Sequence, residues 1–338
     1  MVTGLLSCAD QDQARSFIEA RGLAFEPTFD DLVGVHEGGA LVAVGARHRN
    51  VLKMIAIAPS HQSGSLLGEL VGELVRLGLA AGEEALFVFT RPENAGSFEA
   101  LNFGLLASHG RAALLEYGGS FVRYLEEHRG LVREGRNGAA VVNCNPFTRG
   151  HRHLLEEAAR RVDTLYVFVV REDRSEFPFE ARLQLVREGT RDLENVRVLD
   201  TSRYAVSALT FPAYFLKHRH EAADAQMELD LVLFGQRIAP FFHVVRRFFG
   251  TEPICATTRA YNAAMRRLLP RFGVEAVEIE RREALGEPIS ASRVRAALRG
   301  GDLAGLEALV PEATLAHLRS DASRTTRERL RREGGGQR

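Results

Sequence analysis

Apolar and polar positions change period repeatedly along the first 130 residues. Asp10–Arg21 carries apolar residues at helical spacing, and Asp10 is the expected N-cap. Leu32–Val35 and Ala40–Ala46 are strand-like runs on either side of Gly38-Gly39, the pattern of a hairpin. Val51–Ala58 is a third apolar run, closed by Pro59. Ser63-Gly64-Ser65 then leads into the long amphipathic stretch Leu66–Ala80. Ala85–Thr90 reads as a strand, Asn94–Leu101 as a short helix and Ala112–Tyr117 as a last strand. This order predicts a mixed α/β domain over residues 1–130. Residues 128–138 are polar, contain Gly130, Gly135 and Gly138, and read as a linker.

The second half alternates strand and helix more regularly. Strands are expected at 138–143, 164–170, 196–199, 229–234 and 274–280, with helices at Gly150–Arg161, Phe179–Arg191 and Pro240–Phe249. A run such as Leu165-Tyr166-Val167-Phe168-Val169-Val170 is apolar on both faces, as a parallel sheet covered on both sides requires. The fold class is therefore α/β: a mixed domain followed by a Rossmann-like doubly wound domain over 131–322. The charged tail 323–338 is expected to fray.

Composition narrows the field. Formal net charge is zero, which gives no global attraction to nucleic acid or to an anionic membrane. Lys53 and Lys217 are the lysines among 44 basic residues, and no aromatics interleave with the arginine runs. Cys8, Cys144 and Cys255 lie far apart without metal-ligand spacing, so they read as reduced thiols and no metal site is expected. Residues 1–10 lack the layout of a secretory signal, and no apolar run approaches about 18 residues. The expectation is a cytoplasmic protein that binds neither membrane nor nucleic acid.

Two short motifs carry the chemistry. Asn143-Cys144-Asn145-Pro146-Phe147-Thr148-Arg149-Gly150-His151 follows the first strand of the second domain and opens a helix. Ligands of such sheets sit at the carboxyl ends of the strands, and a helix N-terminus there favours an anion. Ile289-Ser290-Ala291-Ser292-Arg293-Val294-Arg295 opens another helix; Ser290 can cap it, and Arg295 shares a face with Ser292. Thr148, His151 and Arg295 are the expected catalytic residues. Asn143, Asn145, Pro146, Phe147, Gly150, Gly235, Ser290 and Ser292 are the expected binding positions around them, for the ATP that the resemblance given next implies, Gly235 because it follows the expected strand 229–234 and would let a ribose or base lie against the backbone. Cys144 reads as a packing residue, Arg171 and Arg203 as residues that hold phosphate or carboxylate or only meet solvent, and Lys217 as a phosphate contact or a surface lysine.

The stretch Thr148-Arg149-Gly150-His151 resembles the HxGH signature of the nucleotidyltransferase superfamily, with Thr148 at the first His, and Ser290-Ala291-Ser292-Arg293-Val294-Arg295 resembles its ISxSxxR element. That resemblance implies adenylyl transfer: attack on the α-phosphate of ATP with loss of pyrophosphate, Mg²⁺ travelling on the phosphates. No Walker A sequence is present.

The segments Val170–Ser175, Phe177–Arg182, Tyr204–Lys217 and Phe234–Pro240 are similar, in succession, to the citrate (pro-3S)-lyase ligase family. The resemblance implies an acetate-activating, AMP-forming ligase. It would make acetyl-AMP and pass the acetyl group to the thiol of a phosphoribosyl-dephospho-CoA arm on the acyl carrier subunit of citrate lyase. It also implies an N-terminal GNAT-like, acetyltransferase-related domain. There, His61 and Leu66 depart from the R/Q-x-x-G-x-G/A phosphate loop, so docking of the arm or carrier is expected rather than turnover of acetyl-CoA. The rivals are an adenylyltransferase for a cofactor precursor such as phosphopantetheine or nicotinamide mononucleotide, and a non-catalytic carrier-binding module.

Overall fold

The computed structural model describes every residue except 63–64, 172–174, 203, 205–213, 217–218, 254, 285, 303 and 336–338. Arg203, Lys217 and the Ser63-Gly64 pair thus lie outside the described residues. The chain forms two compact units: Met1–Glu127 with Val206–Leu233, and His128–Ala205 with Phe234–Arg338.

The first unit begins with β1 (Val2–Gly4), α1 (Cys8–Glu19), β2 (Asp31–Glu37), β3 (Ala40–His48) and β4 (Val51–Ile57). It continues with α2 (Leu66–Ala80), β5 (Leu86–Thr90), α3 (Ala95–Glu99), β6 (Gly104–His109), β7 (Ala112–Tyr117) and α4 (Ser120–His128). The strands form one seven-stranded sheet in the order β1-β2-β3-β4-β5-β7-β6. All neighbours are antiparallel except β4 and β5, which pair in parallel over Val51↔Phe87 and Leu52↔Val88. The cap of α1 is Ser7, not Asp10. Asp10 sits three residues in, and the two side chains bond each other's backbone amides at 3.1 Å, a capping box.

The second unit contains β8 (Asn137–Val142), α5 (Arg149–Ala159), β9 (Leu165–Val169), α6 (Phe179–Gly189) and β10 (Val196–Asp200). α7 (Arg219–Leu233) follows in sequence but belongs to the first unit, where it packs on β6 and β7. The second unit resumes with α8 (Ala239–Phe241), β11 (Val244–Gly250), α9 (Ala256–Leu268), β12 (Glu275–Ile279), and the two-residue strands β13 (Glu283–Ala284) and β14 (Glu287–Pro288). α10 (Ala291–Arg299), α11 (Glu312–Arg319) and α12 (Arg324–Gly335) complete it. The five-stranded sheet is parallel throughout, in the order β10-β9-β8-β11-β12. That is the 3-2-1-4-5 order of a doubly wound sheet, with its switch point between β8 and β11.

Both faces of this sheet are covered. Ala140, Val142, Val167 and Val169 pack with Leu155, Ala158, Leu185 and Val186 of α5 and α6. On the opposite face, Tyr166 and Phe168 meet the Phe242 ring at 4.8 and 5.6 Å. A second small core of Ile289, Val294, Leu298, Leu318 and Leu330, joined by Phe177, holds the C-terminal helices together.

Three further expectations fail. The run 229–234 is not a strand: its residues through Leu233 end α7, and Leu229, Leu231, Val232 and Leu233 are buried on either side of Asp230, so a run this short does not separate helix from strand. Pro240–Phe249 is not a helix. Only Ala239–Phe241 is helical, and Val244 onward is β11. The tail does not fray before residue 335: α12 is anchored through Leu330, which is fully buried.

Candidate active site

The carboxyl ends of β8 and β11 open onto a cleft of about 530 Å³. Its lining brings together Asn143, Asn145, Thr148, Gly150, His151, Ser290, Ser292 and Arg295. Positions 150 residues apart in sequence thus face one volume, at the place where doubly wound sheets bind ligands.

The first motif is held by its own hydrogen bonds. Thr148 is the N-cap of α5, and its Oγ1 accepts from the His151 amide at 3.3 Å. The Thr148 amide donates to His151 Nδ1 at 3.1 Å, and Thr148 Oγ1 lies 2.9 Å from the same nitrogen. With Nδ1 accepting, the ring proton resides on Nε2, leaving that N–H as the donor the imidazole offers. Burial, with the Arg281 guanidinium a secondary influence, lowers the His151 pKa to about 4. His151 is therefore a neutral donor at pH 7 rather than a cation. Thr148 is itself buried, and its hydroxyl is spent on the helix cap and on His151.

Gly150 has a structural demand on it. A Cβ there would lie 2.9 Å from the Ile289 carbonyl oxygen, so the first residue of the second motif sits directly on the first. Ser290 is the N-cap of α10 and accepts from the Arg293 amide at 3.2 Å. Arg295 Nη1 donates to the Asn145 carbonyl at 2.6 Å and Nη2 to Ser292 Oγ at 3.1 Å. Arg295 thereby ties α10 to the loop that precedes α5. Arg293 turns away and bonds the carbonyls of Ala284, Glu287 and Pro288.

Some expected positions lie elsewhere. Pro146 and Phe147 are buried and do not line the cleft; Phe147 belongs to the core beneath α5 and stacks 6.0 Å from His151. Gly235 is also outside it. A Cβ there would come within 2.3 Å of the Phe272 ring, so the glycine serves packing. Arg171 pairs with Asp200 at 3.3 Å and covers the Phe179 ring. Cys144 is buried, and burial pushes its thiol far above the usual range, in keeping with a packing role.

Sequence reasoning missed four groups. Fully buried Arg182 donates to the Val170 carbonyl at 2.8 Å and to the Asn143 carbonyl and side chain at 2.8 and 2.7 Å, fixing the ends of β8 and β9. Arg281 and Glu252 line the cleft as an ion pair, and Arg247 lines its inner wall. The available signal was Arg246-Arg247 within an apolar run, which at strand period sends one guanidinium inward.

The family model for the citrate lyase ligase C-terminal domain matches residues 137–318. Over 309 residues the chain is 40% identical to citrate (pro-3S)-lyase ligase of Klebsiella pneumoniae, covering 89% of this chain and 90% of that relative. The chain belongs to the citrate lyase ligase family. As a member of that ligase family it is an enzyme, and among the described residues no helix is long and apolar enough to cross a membrane. Among solved structures it is similar to Thermotoga maritima TmcAL bound with alpha-thio ATP (TM-score 0.37, 13% identity, 56% of this chain and 57% of that one). It is also similar to the GNAT domain of S. lividans PAT (TM-score 0.29, 12% identity, 34% of this chain and 88% of that one).

Proposed function

We propose that this ligase activates acetate with ATP and passes the acetyl group to the thiol of the phosphoribosyl-dephospho-CoA arm on the acyl carrier subunit of citrate lyase, in the cytoplasm. The observation that carries the reading is the convergence of two helix N-termini, those of α5 and α10, on one cleft that His151 also lines. Family membership supplies the class of reaction.

In the first step an acetate oxygen attacks the α-phosphorus of ATP. The bond from that phosphorus to the oxygen bridging to the β-phosphate breaks, and pyrophosphate leaves. The carboxylate is already ionised at neutral pH, so no general base is needed. His151 Nε2–H donates to an α-phosphate oxygen as charge builds there, and Thr148 acts through His151 by holding its tautomer. The amides at the starts of α5 and α10, with Ser290, Ser292 and Arg295, hold the β- and γ-phosphates. This donor set suits phosphate oxygens, and Mg²⁺ carried on them would further neutralise their charge. In the second step the arm's sulfur attacks the acetyl carbon. The carbon–oxygen bond to AMP breaks, AMP leaves, and the thiol proton passes to solvent.

The test is release of AMP and pyrophosphate from Mg-ATP, with acetate and deacetylated citrate lyase each present or omitted. Release that needs both, with lyase activity returning, is the expected result. ATP consumption indifferent to both would replace this reading with adenylyl transfer to a cofactor precursor. No consumption at all would replace it with a carrier-binding module.

A further inference from the structure

Arg247 is a buried cation of the second unit with no carboxylate partner among the described residues. It lies in the middle of β11 and is 2% exposed. Phe248 faces the core beneath α5, so Arg247, its neighbour in the strand, points to the opposite side of the sheet. There Nη2 donates to the Tyr261 hydroxyl of α9 at 2.9 Å, and the guanidinium lies 4.4 Å above the Phe234 ring. Nη1 is buried and has no hydrogen-bond partner among the described residues. Both Arg247 and Tyr261 line the same cleft as His151, and Val141, Phe249 and Met265 are apolar members of that lining.

An ionised guanidinium that cannot be neutralised and lacks an anionic partner is costly to bury. It is retained where an incoming anion completes it. A phosphate would need several donors, and the helix N-termini already offer those elsewhere in the cleft. One guanidinium edge beside one hydroxyl, walled by apolar side chains, matches a monoanionic carboxylate with a short hydrocarbon tail. We infer that Arg247 and Tyr261 form the subsite for the carboxylate of the acid substrate, with Val141 and Met265 bounding its alkyl group. This rests on the acid-activating reading above and adds the residues that would hold the acid. The acid then shares one cleft with the phosphates bound at α5 and α10.

The experiment measures acid-dependent ATP–pyrophosphate exchange on the full-length chain, with KM for acetate, propionate and ATP determined separately. Arg247→Met keeps the length of the side chain and removes the buried charge; Tyr261→Phe is the milder variant should Arg247→Met not fold. Expected are a KM for acetate raised roughly tenfold or more in Arg247→Met and a few-fold in Tyr261→Phe, with KM for ATP within about twofold of wild type. A rise in KM for ATP instead, or folded variants with unchanged acetate kinetics, would overturn the subsite. A second readout separates this from the parent reading: the rise in melting temperature of each protein with acetate alone. If wild-type exchange ignores acids, the activation reading fails, while acetate stabilisation that is lost in the variants still upholds the carboxylate site. Absence of acetate stabilisation in wild type as well would remove both.

Discussion

Each unit contains a strand, a short loop and a long helix that begins at the loop, yet the two helix N-termini are furnished differently. At α2 the residue ahead of the helix, Ser65, makes no capping bond to the backbone, and its hydroxyl donates to Glu69 in the first turn at 2.7 Å. Leu66 is buried, and His61 is engaged by Glu37 at 3.0 Å. A carboxylate of the chain thus already answers the positive end of this helix. At α5 the first turn carries Arg149, Gly150 and His151 and no carboxylate, and its cap is closed by a reciprocal pair of bonds with His151. The same local device can be saturated from within or left open to an external anion, and the side chains of one turn decide which.

The largest expected effect on this contrast is at His151. His151→Ala loses about 10²-fold or more in turnover of ATP, the scale of one donor to a developing oxyanion. Wild-type exchange from that variant would remove His151 from the chemistry. Next is Gly150→Ala, whose methyl group meets the Ile289 carbonyl and pushes the two motifs apart. A displacement of that kind costs roughly tenfold in rate, visible in kcat more than in melting temperature. Thr148→Val removes the hydroxyl cap but keeps the backbone amide that donates to His151 Nδ1; about 1 kcal/mol of stability is lost, and Thr148→Ser restores it.

Smaller again is the pH effect of His151. Its folded pKa lies below the unfolded value near 6.5, so the unfolded chain takes up the proton first. Its contribution to stability is complete above about 6.5 and disappears as pH falls towards 4, and His151→Gln flattens the melting curve against pH in that window. The smallest effect belongs to α2: Glu69→Gln leaves KM for ATP unchanged, and a change there would mean the first unit takes part in nucleotide binding.

Local patterns were legible where they were short and self-contained. Thr148 and Ser290 stand at helix starts because hydroxyl caps are fixed by residues three positions away. The parallel sheet was legible from runs such as Leu165–Val169. What stayed hidden depended on burial or on distant partners. Leu229, Leu231, Val232 and Leu233 are all buried and only Asp230 interrupts them, so the short run does not separate helix from strand by period. Misreading the neighbouring segment as a helix concealed Arg247, since only the alternation of β11 turns it away from Phe248. Arg182 could not be read at all: its partners are carbonyls of Asn143, Val170 and Phe177, which no sequence pattern announces.

The return of α7 to the first unit has a consequence for synthesis. All the strands of that unit have been synthesised once Tyr117 is made, yet the helix that covers β6 and β7 ends at Leu233. Between them the ribosome delivers β8, β9 and β10. The nascent chain therefore carries an incompletely covered N-terminal sheet while the next domain is being translated, an interval of about 5–25 s at typical elongation rates. A chain truncated near residue 130 never closes that interval, and a chaperone that binds apolar β-sheet faces has its opportunity there.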